Sequence, residues 1–264
     1  MNKTLRPIAY VLASTSHGSL LVNRHDYSLT EGGGYGVGYQ LLNTSAFDPV
    51  EVDFCVRLLM SRRQHFGDGV VVVDCGANIG VHTIAWAKAM HGWGEVIAVE
   101  AQERVFYALA GNITLNNCFN ARAILAAIGA EDGEILVPIP DYFQPSSFGS
   151  LEIRNSTATE FIGQNIDYSA ERCEKVKMLA IDRLELKRLD FIKIDIEGME
   201  MEALAGAIQS IEKYMPQMII EKIKSDEQAI RKYLEKLGYT FFSLGINLLA
   251  VHESDPAAAQ IRVG

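Results

Sequence analysis

Cysteine is scarce in this chain, and its positions argue against two kinds of site. The four cysteines are Cys55, Cys75, Cys118 and Cys173, and no two of them have the C-x-x-C spacing of zinc ligands. Their scatter is also unlike a disulfide framework. We therefore expect reduced thiols in a reducing compartment and no zinc site.

Long apolar runs are missing as well. No stretch of the sequence approaches the roughly 20 apolar residues that a membrane-spanning helix requires. The charged N-terminal residues, 1–7, are not followed by the apolar segment of a secretory signal. These absences predict a cytoplasmic protein without a membrane span.

Positive charge is in the minority. The 264 residues include 24 lysines and arginines against 33 aspartates and glutamates, so the formal net charge is −9. A surface of that sign repels a phosphate backbone, and we expect no nucleic-acid partner. With 48% hydrophobic residues the chain can bury a large core, which favours one globular α/β domain with an N-terminal elaboration.

From residue 70 the sequence alternates between predicted strands and helices. Four valines at 70–73 form a β-branched run typical of a strand buried on both faces. Further strands are predicted at 95–99, 123–128, 191–194, 218–220, 240–242 and 247–251. The pattern predicts an α/β fold with a mostly parallel sheet, helices on both faces and one antiparallel strand near the edge.

Two helices are predicted in the second half from local patterns. One continuous helix should follow the strand at 191–194, because these apolar side chains share a face: Met201, Leu204, Ala205, Ile208 and Ile211. Another should begin at Ser225, which has the capping-box spacing to Gln228, and should end near Gly238.

Two segments stand apart from this alternation. Residues 1–60 are expected to form an extension on the main domain, 61–264, with short strands, a helix from residue 49 to 59 and a glycine-rich stretch at 32–39. That stretch favours a flexible or tight loop, and a loop close to a ligand is the alternative. Residues 133–182 interrupt the main domain, and we predict that they carry a loop over the active face.

A glycine turn follows the first buried strand. Asp74 ends the strand, and the turn that leads into the next helix places a ligand near a helix N-terminus. Asn78 occupies the position of the second glycine of G-x-G-x-x-G, which disfavours a dinucleotide. An acid at the strand end suits the zwitterionic sulfonium S-adenosylmethionine better. The candidate cofactor-binding residues here are Asp74, Gly76, Ala77, Asn78 and Gly80.

Acidic residues also end two later strands. Glu100 is placed to accept two hydrogen bonds from a ribose diol, and Ala101 and Ala127 complete the predicted cofactor contacts. Asp195 should emerge at the same edge of the sheet. Glu197 is spaced to share one helical face with Glu200, although Glu200 is equally explained as an acid at a helix start.

The two motifs, VDCGANIG at residues 73–80 and IKIDIEGME at 192–200, together resemble the FkbM-type methyltransferases. The resemblance extends from about residue 70 to 222 and includes Glu100, Asp132 and Glu221; Asp182 is kept, although the Ala-Ile before it departs from the family's Thr-Leu. It implies a class I methyltransferase (Rossmann-like) fold with a seven-stranded sheet. It also implies S-adenosylmethionine as cofactor and O-methylation of a sugar, glycan or natural-product hydroxyl.

Such a hydroxyl is a weak acid, so its methylation requires a base or a metal ion. Asp195 is the first candidate for base or ligand and Glu197 the second. His82, at the helix start after the glycine turn, is a further candidate, although a plain helix-start residue explains it as well. We favour metal-free chemistry; a Mg²⁺ ion, if used, would bind Asp195 and Glu197.

Three questions stay open at this point. An NAD(P)-dependent oxidoreductase and a non-catalytic cofactor-binding protein are the alternative functions, although the sequence has neither G-x-G-x-x-G nor eroded cofactor acids. A homodimer is possible on this sequence. Tyr142, Phe143 and Phe148 are as consistent with an acceptor wall as with packing of the loop.

Overall fold

The structure, a computed structural model, describes residues 6–30 and 32–258. Residues 1–5, on which part of the expectation about a secretory signal rests, lie outside the described residues. The first elements are β1 (Tyr10–Thr15), β2 (Gly18–Asn23), β3 (Ser28–Thr30), β4 (Gly33–Tyr35), α1 (Val37–Thr44) and α2 (Pro49–Phe66). β1 pairs with β2 and β3 with β4, both antiparallel.

The middle of the chain alternates strands with helices and then enters the insertion. Its elements are β5 (Val70–Cys75), α3 (Val81–Ala89), β6 (Gly94–Glu100), α4 (Glu103–Leu115), β7 (Ala121–Leu125), β8 (Ala127–Ile128), β9 (Gly133–Pro138) and β10 (Cys173–Leu179). Short 3₁₀ turns are at Phe148–Ser150, Ala170–Arg172 and Ile181–Arg183.

The C-terminal part completes the main sheet. Its elements are β11 (Phe191–Ile194), α5 (Glu200–Ala205), α6 (Ile208–Tyr214), β12 (Gln217–Glu221), α7 (Glu227–Glu235), β13 (Tyr239–Leu244) and β14 (Asn247–His252). In the described ranges, no helix is both long and apolar enough to cross a membrane.

Seven strands form the main sheet in the order β13-β14-β12-β11-β5-β6-β7. The strands β12, β11, β5, β6 and β7 are parallel, and β14 runs antiparallel to both of its neighbours. The predicted parallel sheet with one antiparallel strand near the edge is therefore confirmed. The strand order reverses between β5 and β11, which leaves a crevice at their carboxyl ends.

Both faces of the sheet are covered. Val70 and Val72 point to a core shared with α2, α3 and α4, and Val73 and Ile97 point to a second core shared with α5, α6 and α7. Because each strand contributes apolar side chains to both cores, the valine run needs no polar face. The N-terminal elements add Leu20 to the first core.

The N-terminal elements differ from the sequence expectation in two respects. The predicted helix at 49–59 continues to Phe66, so α2 crosses the boundary expected at residue 60. The glycine-rich stretch is not a loop throughout, since it forms β4 and the start of α1. The apolar side chains of α1, among them Val37 and Leu41, bury against the core and stabilise this short helix.

The strand predicted at 123–128 is in fact two strands in different sheets. β7 ends at Leu125 because its partner β6 ends opposite it at Glu100. The chain then pairs Ala127 and Ile128 with β10, which also pairs with β9 in a three-stranded sheet. β10 had no predicted counterpart.

The single helix predicted after β11 is also broken, between α5 and α6. Gly206 lies so close to the backbone of Gly129 that a Cβ atom would clash with the Gly129 carbonyl, and the Gly206 carbonyl accepts a hydrogen bond from Asp182 N. The Asp182 carboxylate in turn accepts hydrogen bonds from Gln209 N at 3.0 Å and Ser210 N at 2.7 Å. Asp182 thereby starts a second helix.

The capping box predicted at Ser225 is wrong. Asp226 is the N-cap of α7, and its carboxylate accepts a hydrogen bond from Ala229 N at 3.0 Å. A carboxylate at this position also interacts favourably with the helix dipole. The Ser225 hydroxyl instead contacts the carboxylate of Glu200.

A buried ionic cluster joins α2 to the edge of the sheet opposite the crevice. Arg62 contacts Asp190 (Nε–Oδ1 3.3 Å) and Asp255 (Nη1–Oδ2 2.8 Å), and all three side chains are at most 6% exposed. Arg188 and the backbone amide of Val71 contact the same Asp190 carboxylate. The cluster connects the N-terminal helix, the central strands and the C-terminal segment.

Replacing Arg62 should be far more costly than replacing its exposed neighbour. We expect Arg62→Ala to lower the free energy of unfolding by about 3 kcal/mol, because the buried carboxylate of Asp255 loses its cation and that of Asp190 keeps only Arg188. Arg63→Ala removes a surface pair with Asp68 and should cost below about 1 kcal/mol. Urea unfolding of both variants and the parent measures the difference, and equal losses would contradict it.

Candidate active site

A cleft of about 430 Å³ opens at the carboxyl ends of β5, β6, β11 and β12, a size typical of a small-molecule site. One wall comes from the N-terminal elements, including Tyr35, Phe47 and Glu51, and another from the insertion, including Ser150 and Glu160. The cleft therefore lies where the strand order reverses, as expected for an open α/β sheet.

The two walls are fastened to each other by one buried carboxylate. Asp26 accepts hydrogen bonds from Gly38 N at 2.9 Å, in α1, and from Phe148 N at 3.0 Å, in the insertion. Burial raises the pKa of Asp26 to about 6, although both hydrogen bonds favour its charged form. The glycine-rich stretch borders the cleft through Tyr35 and Gly36.

The turn after β5 is held against two neighbouring strands. Gly76 N and Ala77 N both donate to the carbonyl oxygen of Val99 at 3.0 Å. Gly76 has a φ of 77°, and a Cβ atom there would clash with the carbonyl oxygen of Asp195. Only glycine fits this close approach of the turn to the end of β11.

Most of the predicted turn residues line the cleft, but Gly80 does not. Gly80 is the N-cap of α3, in the left-handed region at φ 91°, and its amide donates to Ala77 O at 2.9 Å. This hydrogen bond folds the chain back into the helix and so places Gly80 behind the turn, away from the cleft. Asn78 also takes a positive φ, 50°, which asparagine tolerates without a glycine.

Asp74 has one acceptor without a partner. Its Oδ2 accepts a hydrogen bond from Thr83 Oγ1 at 2.6 Å, whereas its buried Oδ1 has no hydrogen-bond partner among the described residues. The residue is 1% exposed and borders the cleft. A buried carboxylate oxygen without a donor fits a cationic or N–H group of a ligand.

Glu100 lies across the turn from Asp74, with both oxygens engaged. Its Oε2 accepts from Asn78 N at 2.9 Å and its Oε1 from Gln102 N at 2.8 Å. Burial raises the pKa of Glu100 to about 7, against the effect of these hydrogen bonds. Each oxygen has a second lone pair, so the carboxylate is able to accept two further hydrogen bonds from a diol.

Ala101 and Ala127 also border the cleft, together with Gln102, which the sequence did not single out. Gln102 Nε2 donates to Phe148 O at 2.8 Å, and Tyr142 OH donates to Gln102 Oε1 at 3.2 Å. Tyr142 packs on Phe148 with ring centroids 4.9 Å apart. Of the two interpretations of these aromatics, packing of the loop is the one that the contacts favour.

Two lysines neutralise two of the acids at the other end of the cleft. Lys193 Nζ is 2.5 Å from Asp195 Oδ2, and Lys224 Nζ is 2.7 Å from Glu197 Oε2. Burial alone would lower the pKa of Lys193, but the charges of Asp195 and two other acids raise it above its usual value. Lys193 and Asp195, two residues apart at the end of β11, therefore form an ion pair.

Glu197 is not on a helical face with Glu200, as the spacing had suggested. It lies in the turn before α5 with a φ of 55°, whereas α5 begins at Glu200. The Glu200 carboxylate is buried and accepts hydrogen bonds from Ile196 N at 3.2 Å and Gly198 N at 3.1 Å. Glu200 is therefore a structural residue that shapes the turn carrying Glu197.

His82 reaches the cleft at the start of α3 and faces an acid from the N-terminal wall. Its Nε2 is 3.3 Å from Glu51 Oε1, at ion-pair distance without hydrogen-bond geometry. Glu51 Oε2 accepts from Asn247 Nδ2 at 2.6 Å. Burial would raise the pKa of Glu51, but the nearby His82, the charge of Lys193 and the hydrogen bond from Asn247 hold it below its usual value.

Among the described residues, one group of carboxylates has the spacing of metal ligands. The oxygens of Asp195, Glu197 and Glu221 all lie within 4.8 Å of one another. Asp195 and Glu197 are the two residues predicted as alternative Mg²⁺ ligands. Each of these two already has an oxygen in contact with a lysine ammonium.

The sequence did not single out several residues of the cleft: Glu51, Gln102, Asn247, Ile246 and Lys224. Glu51 and Asn247 meet from α2 and β14, far apart in the chain, and no local pattern marks such a pair. Lys224 follows the end of β12 by three residues, at the same edge as Asp195. This position, close to a strand end at the ligand-binding edge of the sheet, is the one sequence signal that could have identified Lys224.

The strand order, the crevice and the cofactor-type turn define a class I methyltransferase (Rossmann-like) fold. A model of the methyltransferase FkbM domain matches residues 74–241. The chain belongs to the FkbM family of S-adenosylmethionine-dependent methyltransferases, as the two motifs implied.

Similar proteins are methyltransferases too. "Methyltransferase 1" of Beauveria bassiana (strain ARSEF 2860) is 24% identical over 189 residues, which are 66% of this chain and 74% of that protein. A methyltransferase FkbM structure from Methylobacillus flagellatus KT is 18% identical with a TM-score of 0.48; the match covers 73% of this chain and 48% of that one, so this chain spans about half its length. A precorrin-6y C5,15-methyltransferase from Geobacter metallireducens GS-15 is 12% identical with a TM-score of 0.43, over 85% and 91%.

Removal of the Glu200 carboxylate should destabilise the turn before α5. We expect Glu200→Ala to lower the free energy of unfolding by about 2 kcal/mol, because two backbone amides lose their acceptor. Glu202→Ala is the matched control, since Glu202 pairs with Arg154 at the surface of the same helix and should cost below about 1 kcal/mol. Denaturant unfolding measures both, and a Glu200→Ala loss no larger than that of the control would contradict the structural role.

Proposed function

We propose that this methyltransferase acts on a hydroxyl oxygen of a neutral sugar, glycan or natural-product acceptor. The observation that carries the proposal is the division of one cleft into a cofactor-type turn around Asp74 and Glu100 and a cluster of acids around Asp195. S-adenosylmethionine, when bound, supplies a methyl group on a sulfonium with a good leaving group. The protein has then to orient a hydroxyl and remove its proton.

The residues around the turn fit this cofactor. The unpartnered Oδ1 of Asp74 suits the ammonium of the methionine part, and Glu100 has lone pairs for the ribose diol. Gly76, Ala77 and Asn78 form the turn between these two acids. We propose that Ala101 and Ala127 border the adenine, and that Gly80 acts indirectly by starting α3.

The acids at the other end fit the removal of a proton without a metal ion. Asp195 and Glu197, the predicted catalytic residues, both border the cleft, and the lysines that neutralise them occupy the place of a cation. We propose that His82, held against Glu51, orients the substrates from the N-terminal wall. In this proposal residues 1–60 and the insertion at 133–182 select the acceptor.

The charge of the cleft limits the acceptor. Among the described residues, two lysines and eight acids line the cleft. The acids are Asp48, Glu51, Asp74, Glu100, Glu160, Asp195, Glu197 and Glu221. A phosphorylated acceptor or a nucleic acid would bring like charge into this surface at a cost of several kcal/mol. An acceptor without negative charge avoids that cost.

Calorimetry with S-adenosylhomocysteine tests the cofactor site. Glu100→Gln should weaken binding by about 10–100-fold, because charge-assisted hydrogen bonds to the ribose are lost. In the parent protein the affinity should fall as the pH drops through about 7, where Glu100 gains a proton, and the variant should lack this dependence.

Glu103→Gln, a change on α4 outside the cleft, is the control and should bind as the parent does. Binding of NADPH in place of S-adenosylhomocysteine by the parent protein would overturn the proposal in favour of an oxidoreductase. Binding of S-adenosylhomocysteine without methyl transfer to any acceptor would favour a non-catalytic protein.

Methyl transfer to matched acceptors tests the charge argument. A panel of neutral methyl glycosides should be methylated with at least about tenfold higher kcat/KM than the phosphate monoesters of the same glycosides. Added salt should reduce the difference in kcat/KM between the glycosides and their phosphate esters, because it screens charge at the open side of the cleft. Faster transfer to the phosphate esters would refute the proposed acceptor class.

A further inference from the structure

We propose that Glu221, and not Asp195 or Glu197, takes the proton from the acceptor hydroxyl. The inference rests on the proposed O-methylation and concerns which acid of the cluster is free to act. Glu221 is the last residue of β12, next to β11 in the sheet, and it borders the cleft. Its carboxylate oxygen lies within 4.8 Å of those of Asp195 and Glu197.

The first argument is the partners of the three acids. Asp195 is bound by Lys193 and Glu197 by Lys224, with N–O distances of 2.5 and 2.7 Å. Within residues 6–30 and 32–258, the side chain of Glu221 has no hydrogen bond and no ion pair. If either of these carboxylates took the proton, a lysine ammonium would lose its charged partner.

The second argument is access. The Glu197 side chain is only 12% exposed and lies under Lys224, which also contacts Ser150 and Glu160 of the insertion. Glu221 is half-buried at the floor of the cleft, at a strand end where ligands of such sheets bind. A hydroxyl that enters the cleft is therefore able to reach the Glu221 carboxylate without displacing an ion pair.

The third argument is the charge around Glu221. Burial raises its pKa to about 7, and the charges of Asp195 and Glu200 act in the same direction, against Lys193 and Lys224. From β14, Glu221 faces the neutral Asn247, its partner in the strand pairing. A base whose pKa lies near neutrality combines a useful ionised fraction with a useful proton affinity.

The step balances with the groups named so far. The hydroxyl oxygen forms a bond to the methyl carbon while the carbon–sulfur bond breaks, and that electron pair stays on sulfur to give S-adenosylhomocysteine. The hydroxyl proton moves to the Glu221 carboxylate, which then returns it to water. Asp195 stays in contact with Lys193 and Glu197 with Lys224 throughout.

The test compares Glu221→Gln with Asp195→Asn and with the exposed control Glu212→Gln on α6. The fastest neutral glycoside of the panel is the acceptor. Glu221→Gln should lower kcat by about 100-fold or more, the usual contribution of a general base, with S-adenosylhomocysteine affinity within about threefold of the parent. At saturating S-adenosylmethionine, Glu221→Gln should also remove the acidic limb of the kcat profile near pH 7. Asp195→Asn should keep this limb but move it to lower pH, because the charge of Asp195 raises the pKa of Glu221, and the control should leave it unchanged.

Three results would overturn the assignment while leaving O-methylation intact. These are a fully active Glu221→Gln, loss of the acidic limb in Asp195→Asn instead, or activity that EDTA abolishes and Mg²⁺ restores, since the acids would then be metal ligands. Failure of the parent to bind S-adenosylhomocysteine would instead refute the proposed function itself.

A titration that needs no acceptor completes the test. With ¹³C-labelled glutamate, the carboxyl signal that disappears in Glu221→Gln should titrate with a midpoint near 7 in the parent protein. A midpoint in the ordinary range of glutamate, near 4.3, would overturn the assignment even if every glycoside of the panel proved inert.

Discussion

The ammonium of Lys193, buried in the central strand β11, is the interaction on which the site depends. It contacts Asp195 directly, and the charges of Asp74 and Glu51 act on it as well. These acids come from the end of β11, the end of β5 and the N-terminal wall of the cleft. A single buried cation in a region of low dielectric therefore stabilises three carboxylates that would otherwise repel one another.

Lys224, the second lysine of the cleft, also neutralises an acid, and in addition it holds part of the insertion. Lys224 contacts Glu197 in the turn before α5 and also Ser150 and Glu160 in the insertion. It neutralises an acid and at the same time holds one wall of the cleft in place. The two lysines pair with two of the three clustered acids. The third, Glu221, is also a carboxylate, but its electrostatic environment is different.

Some residues of the cleft lie inside the part of the chain that matches the family model, and others lie outside it. The cofactor-type turn and the acids after β11 and β12 lie within the matched residues 74–241, whereas Glu51, Tyr35 and Asn247 lie outside them. The walls meet through buried Asp26, which binds one backbone amide on each side.

The sequence by itself determined the sheet, its central strands and the turn from Asp74 to Gly80, because burial on both faces and a glycine turn leave local patterns in the chain. It misjudged the break at Gly206, where the decisive contact, to Gly129, depends on the folded backbone. It also placed the cap of α7 at Ser225, one residue before Asp226, whose bond to Ala229 is local. It also marked acids at the ends of the right strands. Only the tertiary structure decided which of these acids are paired, because the distance from an ammonium to a carboxylate is set by the packing of strands and walls. Among the residues that the structure describes, that packing gives Asp195 and Glu197 a lysine and gives Glu221 none.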